Sequence, residues 1–140
     1  MNNTALMILL AVVLCAAIIG VIILVLASKN APKLRVERYQ TRWLEIENSL
    51  SRTVASSWQV AIMDADKLLD QALKDRHFKG QTMGERMKSA NKSWRNANHV
   101  WGAHKIRNQL AHETDVKLTY ETTVRALTAF KQGLKDLGAI

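Results

Sequence analysis

The chain has 140 residues with a single proline and six glycines, enough for one compact domain beside whatever is spent on targeting. Twenty lysines and arginines against 12 acids give a formal net charge of +8, which suits a polyanionic partner, either phospholipid headgroups or nucleic acid. The one cysteine, Cys15, rules out an intramolecular disulfide, and no Cys/His pair has the spacing of a zinc site.

Residues 5–27, "ALMILLAVVLCAAIIGVIILVLA", carry no charge and no strongly polar side chain. At about 1.5 Å per residue such a helix reaches roughly 34 Å, enough for a hydrocarbon core of about 30 Å. A cleaved signal peptide competes with this reading. The run lacks a preceding Lys or Arg and exceeds the usual apolar length of such a peptide, so an uncleaved membrane span is expected. Every Lys and Arg lies at or after Lys29. The flank after the span holds Lys29, Lys33, Arg35, Arg38 and Arg42 against one acid, Glu37. The positive-inside rule then predicts a single-pass protein of the inner (cytoplasmic) membrane, its N-terminus outside and its C-terminal domain in the cytoplasm. Lys29, Lys33, Arg35 and Arg38 are candidate contacts to lipid or RNA phosphates, with a plain topology signal as the competing reading. Ala16 and Gly20, four residues apart, hint only weakly at helix pairing.

Beyond the span, helix formers dominate and no period-2 alternation appears, so the chain is expected to be all-α. From residue 34 to 79 there is neither proline nor glycine. Trp43, Ile46, Leu50, Val54, Trp58, Ala61, Ala65, Leu68 and Ala72 recur at steps of three and four, one face of a helix. That helix is either continuous or broken near "NSLSRT", where polar residues crowd. "HFKGQT" reads as a loop with Gly80 past the helix end. A short second helix is predicted from Thr82 as N-cap, with Glu85 three residues on as its capping-box partner and Met83 and Met87 packing inward. The third runs from about Trp94 or Asn96 through Leu110, with Val100 and Trp101 inward. The fourth starts at Thr119 and aligns Val124, Leu127, Phe130, Leu134 and Leu137 before Gly138 stops it. Trp58, Trp94 and Trp101 are expected in the core. The pattern predicts an N-terminal transmembrane helix followed by an up-and-down bundle of about four helices. Its divisions would be an anchor at 1–28, a basic juxtamembrane and linking helix at 29–57, and the bundle at 58–140.

No glycine loop could cradle a phosphate, so a site must come from side chains on helices. The third helix ends in "AHKIRNQLAHE", residues 103–113, which holds Arg107-Asn108-x-x-x-His112. These residues resemble the R-polar-x3-H signature of the HEPN superfamily, the small helical domains of higher eukaryotes and prokaryotes, over roughly residues 58–137. The resemblance implies a bundle of four or five helices that forms a homodimer with the two motifs facing a shared cleft. Many members are metal-independent endoribonucleases that need no cofactor; others serve as noncatalytic binding or assembly modules. The residue types suit the chemistry. A histidine such as His112 exchanges protons near neutral pH and can take one from a ribose 2′-OH. Arg107 can hold two phosphate oxygens in its fork, and Asn108 has both a donor and an acceptor with which to orient its neighbours. The products would be a 2′,3′-cyclic phosphate and a 5′-hydroxyl.

The bland reading makes all three residues helix-end furniture, capping carbonyls and complementing the dipole. An offset of five residues also turns Arg107 and His112 roughly 140° apart on a regular helix. They meet only if the helix ends or distorts between them, or if a dimer supplies one from each chain. His104, one turn before Arg107, is a candidate auxiliary proton carrier, with a hydrogen bond inside the core or an interface as the stronger expectation. Glu113 offers at best an exposed ion pair of little worth, and neither His77 nor His99 has spacing to recommend it. Lys88, Lys92, Arg95 and Lys105 are candidate contacts to RNA or lipid phosphate, though charged helical runs are usually solvated faces. The expected function is therefore a membrane-tethered HEPN-like endoribonuclease. Its alternative is a noncatalytic module that binds protein or RNA, or dimerises, at the bilayer.

Overall fold

The computed structural model of the chain describes residues 3–29 and 34–140, with side chains at 4–26 and 34–140. It divides into two compact units, Met1–Pro32 and Lys33–Ile140. The described residues are all-helical: α1 (Asn3–Lys29), α2 (Val36–Ser49), α3 (Ala55–Asp75), α4 (Met83–Ser89), a 3-10 turn (Asn91–Ser93), α5 (Ala97–His112) and α6 (Tyr120–Asp136).

The first unit is α1. Its stretch Thr4–Leu26 has a mean hydropathy of 3.4 and no buried residue, so this helix is long and apolar enough to cross a membrane. Apolar side chains go all the way round it, the pattern of a helix solvated by lipid and not packed on one face.

In the second unit the long apolar stripe is cut in two. The break at residues 50–54 is held by hydroxyls and an indole: the Ser51 N–H donates to Ser57 Oγ at 3.0 Å, and Trp58 Nε1 donates to the Ser51 carbonyl at 2.7 Å. Serine and threonine side chains offer the backbone partners outside the helix, which is why the crowded "NSLSRT" ends α2. Folded back, α2 buries Tyr39, Trp43 and Ile46 in the same core as α3. α2, which lies within the stretch 29–57 expected as a separate linking helix, thus contributes one wall of the bundle.

Three further contacts pin α2. The Tyr39 hydroxyl donates to Asp75 at 2.7 Å, and burial followed by that carboxylate pushes the phenol well above its ordinary value. Lys131 Nζ of α6 lies 2.6 Å from Glu47 Oε1 and 5.6 Å from the centre of the Trp43 ring. Burial alone would raise the Glu47 carboxyl. Lys131, helped by the Trp43 indole and Lys135, outweighs burial and holds it below its ordinary value. The Trp43 indole N–H is itself buried without a hydrogen bond of ordinary geometry.

α3 is the central helix and touches every other helix of this unit. Its small residues Ala61, Ala65 and Ala72 let neighbours approach, while Ile62, Leu69 and Leu73 fill the space between them. Phe130, Leu134 and Thr123 of α6, Val100 of α5 and Met87 of α4 are fully buried beside them. Gly133 sits where three helices converge: a Cβ there would lie 3.3 Å from Leu69 and 3.5 Å from Val100.

The caps follow the expected chemistry. Thr82 Oγ1 accepts from the Glu85 N–H at 3.2 Å and Thr119 Oγ1 from the Thr122 N–H at 3.1 Å. The Glu85 carboxylate reaches the Gln81 N–H, one residue before the position of a standard capping box. The loop holding Gly80 follows α3 as expected, and the left-handed residue that closes the helix is His77 (φ 59). Gly80 instead lets the loop pass α4, since a Cβ there would lie 2.6 Å from the Arg86 backbone nitrogen. Val124 and Val54, expected on the buried helix faces, are instead exposed. Trp58 and Trp101, expected in the core, are half-buried, the former edge-on to Tyr120; Trp94, also expected there, is buried in it.

Candidate active site between α3 and α5

The apolar face of α5 is short, and its buried residues are Val100, Ala103 and His104. A polar residue at the third of these places needs a partner, because an unpaired buried polar group costs about 1–3 kcal/mol. The partner is Asp66 on α3, 3% exposed, whose Oδ1 lies 2.7 Å from His104 Nδ1. One helical turn further along α5, Arg107 Nε lies 3.1 Å from the other oxygen of the same carboxylate. The Nε–H does not point along that contact, so this is an ion pair by distance without a well-aligned hydrogen bond. Arg107 Nη1 donates to Asn108 Oδ1 at 3.1 Å. One buried carboxylate therefore holds an imidazole and a guanidinium together, and the guanidinium orders the neighbouring amide.

These groups stand in the wall of an open cleft of about 850 Å3, lined by α3, α4 with the loop before it, and α5. Asp66, Lys67 and Asp70 come from α3, and Trp101, His104, Lys105, Arg107 and Asn108 from α5. Asp70 is spent internally. It bridges to Arg86 at 2.6 Å and to Lys74 at 2.7 Å, and Arg86 Nη1 also donates to the Gly80 and Gln81 carbonyls at 2.8 and 3.1 Å, fixing the loop that rims the cleft. The lining holds four cations, Lys67, Arg86, Lys105 and Arg107, against two carboxylates. With Asp70 and Asp66 both engaged, the charge left for a ligand is positive and comes from Lys67, Lys105 and the outer edge of Arg107. Among the described residues, no group of three or more His, Cys, Asp or Glu side chains is placed to hold a metal ion.

Of the residues singled out from sequence, the structure brings Arg107, Asn108, His104 and Lys105 to this one cleft. His112 is exposed, the last residue of α5, and outside the lining. It follows Asn108 by four residues and Lys105 by seven, so it extends their outer stripe by one turn and stands away from Arg107. Lys88 and Lys92 are exposed outside the cleft, and Arg95 leans on Asp136, its Nε 3.5 Å from Oδ1 and its backbone N–H 3.0 Å from Oδ2. Arg35 and Arg38 are exposed at the start of α2, while Lys29 and Lys33 fall outside the residues with described side chains.

Sequence reasoning passed over Asp66, Asp70 and Arg86. The first carried a signal: an aspartate four residues after Ile62 and three before Leu69 lies on a face that is otherwise apolar, where an ionisable group demands a partner. No protein-family model, curated protein or solved structure matches the chain.

Proposed function

We propose that this is a single-pass membrane protein carrying a HEPN-like helical unit on its cytoplasmic side, and that the unit binds RNA in the Arg107 cleft and cuts it without a metal. The proposed reaction is attack by a ribose 2′-OH on its own phosphate, giving a 2′,3′-cyclic phosphate and a 5′-hydroxyl. One observation carries the reading: Arg107 and Asn108 stand side by side in an open, net basic cleft that also contains an oriented histidine. A guanidinium suits a phosphate on which charge accumulates, and an imidazole suits a proton that must leave a hydroxyl. The two-copy arrangement implied by the sequence resemblance is part of the proposal, since it would place two such clefts together.

A noncatalytic RNA-binding module is the second reading. It is favoured by His112 standing outside the cleft lining and by Arg107 being already paired with Asp66. Full-length protein in lipid nanodiscs, incubated with single-stranded RNA and EDTA, separates the two. Cleavage that falls about a hundredfold or more in Arg107→Ala supports the enzyme. Wild-type protein that retains RNA in a salt-dependent way but leaves it intact assigns the second reading. Absence of both cleavage and retention removes RNA from the proposal.

A further inference from the structure

His104 is held more firmly than any other histidine in the chain. Its side chain is 10% exposed, lies edge-on to Trp101 with ring centroids 6.1 Å apart, and meets Asp66 through Nδ1. An ionised carboxylate can only accept a hydrogen bond, so Nδ1 carries the hydrogen of that contact. In the neutral ring the lone pair then belongs to Nε2. Among the described residues nothing pairs with Nε2, and His104 is one of the residues lining the cleft.

A buried ion pair contributes little to stability, because desolvating the charges cancels most of their attraction; apolar residues of the same size would serve a core as well or better. The Asp66 carboxylate does something packing residues cannot. It fixes the imidazole and the guanidinium relative to one another, three residues apart on one face of α5, in the wall of a cleft and not in its closed core. Charged groups lining the cleft with His104 are Asp66, Lys67 and Asp70 from α3, Arg86 from α4, and Lys105 and Arg107 from α5; α6 adds none.

We infer that His104, and not the motif histidine His112, is the group that takes the proton from the RNA 2′-OH, and that Asp66 is its positioning residue. The inference rests on the RNA-cutting reading of the cleft. His104 Nε2 accepts the hydroxyl proton as the 2′-oxygen forms a bond to phosphorus. The bond from phosphorus to the 5′-oxygen breaks, and that oxygen takes a proton from water at the cleft mouth. The imidazolium then returns its proton to the hydroxide so formed. Nothing is oxidised, and water is restored. Arg107 faces the phosphate, where charge builds, and Asp66 keeps Nε2 free to act as the base.

The test uses the full chain in nanodiscs with EDTA and a short single-stranded RNA, alongside the same oligomer with one 2′-deoxy sugar at the cleaved position. Wild type is expected to cut the first and spare the second. His104→Gln keeps a group able to hydrogen-bond Asp66, so it preserves the fold, checked by circular dichroism. It lowers kcat by about a hundredfold to ten-thousandfold with little change in KM. His104→Gly opens a space that added imidazole can occupy, and imidazole restores part of kcat. Asp66→Asn costs about a hundredfold or more through the wrong tautomer, and Asp66→Glu recovers part of it. Full cleavage by folded His104→Gln, still with cyclic phosphate ends, overturns the role of His104 while leaving the RNA-cutting reading intact. No response of folded His104→Gly to imidazole overturns it too. RNA left whole by the wild-type chain overturns both.

Discussion

His77 carries a left-handed backbone (φ 59) and closes α3 with two reversed hydrogen bonds, Phe78 N–H to the Leu73 carbonyl at 3.0 Å and His77 N–H to the Lys74 carbonyl at 2.8 Å. The same pair of bonds ends α6, where Gly138 (φ 69) holds the equivalent place, with Ala139 N–H on Leu134 and Gly138 N–H on Lys135, each at 2.9 Å. A residue with a Cβ pays about 1 kcal/mol in this conformation and glycine almost nothing, which more than offsets the chain entropy glycine brings. His77→Gly is therefore expected to stabilise the helical unit by roughly 0.5–1 kcal/mol, raising Tm by a few degrees in a thermal melt. A lower Tm would mean that the imidazole makes a contact worth more than the strain. Asp66 shows the limit of reading single residues. Its place on an apolar face was visible in "DADKLLD", but its role depends on His104, 38 residues further along the chain, and no local pattern encodes that pairing.

At the level of elements, the sequence pattern told which face of each helix is buried but not against what. A stripe at steps of three and four is the same whether residues 34–79 form one rod or a hairpin. The hydroxyl-rich stretch marked the break, yet the docking of α2 onto α3 and α6 came from partners far off in sequence, Tyr39 with Asp75 and Glu47 with Lys131, 36 and 84 residues apart. The four-helix bundle read from residue 58 onward therefore lacked a wall. This clasp has a pH signature. The Glu47 carboxyl is held below its ordinary 4.5, so the charged form stabilises the folded state above that pH, and the contribution disappears as pH falls through the lowered value. Glu47 is 40% exposed, so solvent screening keeps the pair to less than about 1 kcal/mol. Denaturant melts at pH 7 are expected to show Glu47→Gln slightly less stable than wild type, and the gap to close progressively below pH 4.5. A gap that persists at pH 3 would assign the loss to packing around Trp43 and not to charge.

Over the whole molecule, charge and hydropathy are segregated along the chain, and that is the property a membrane-insertion machinery reads. The apolar helix is followed by Lys29, Lys33, Arg35, Arg38 and Arg42 with one intervening acid, Glu37. Orientation responds to Lys and Arg within about 15–20 residues of a span and hardly to acids, and on that rule the following unit is proposed to lie on the cytoplasmic side. That side is also where RNA is found, which ties topology to the proposed chemistry at Arg107 and His104. In bacterial cells expressing the chain, protease added to spheroplasts should leave residues 33–140 intact, and the same protease added to inverted membrane vesicles should degrade them. Replacing the five cations by glutamine while adding lysines ahead of Thr4 should reverse both results. Degradation of the helical unit in spheroplasts bearing the wild-type chain would place the cleft outside the cytoplasm, where the proposed substrate is absent. The basic cluster would then be left with no part in orienting the protein.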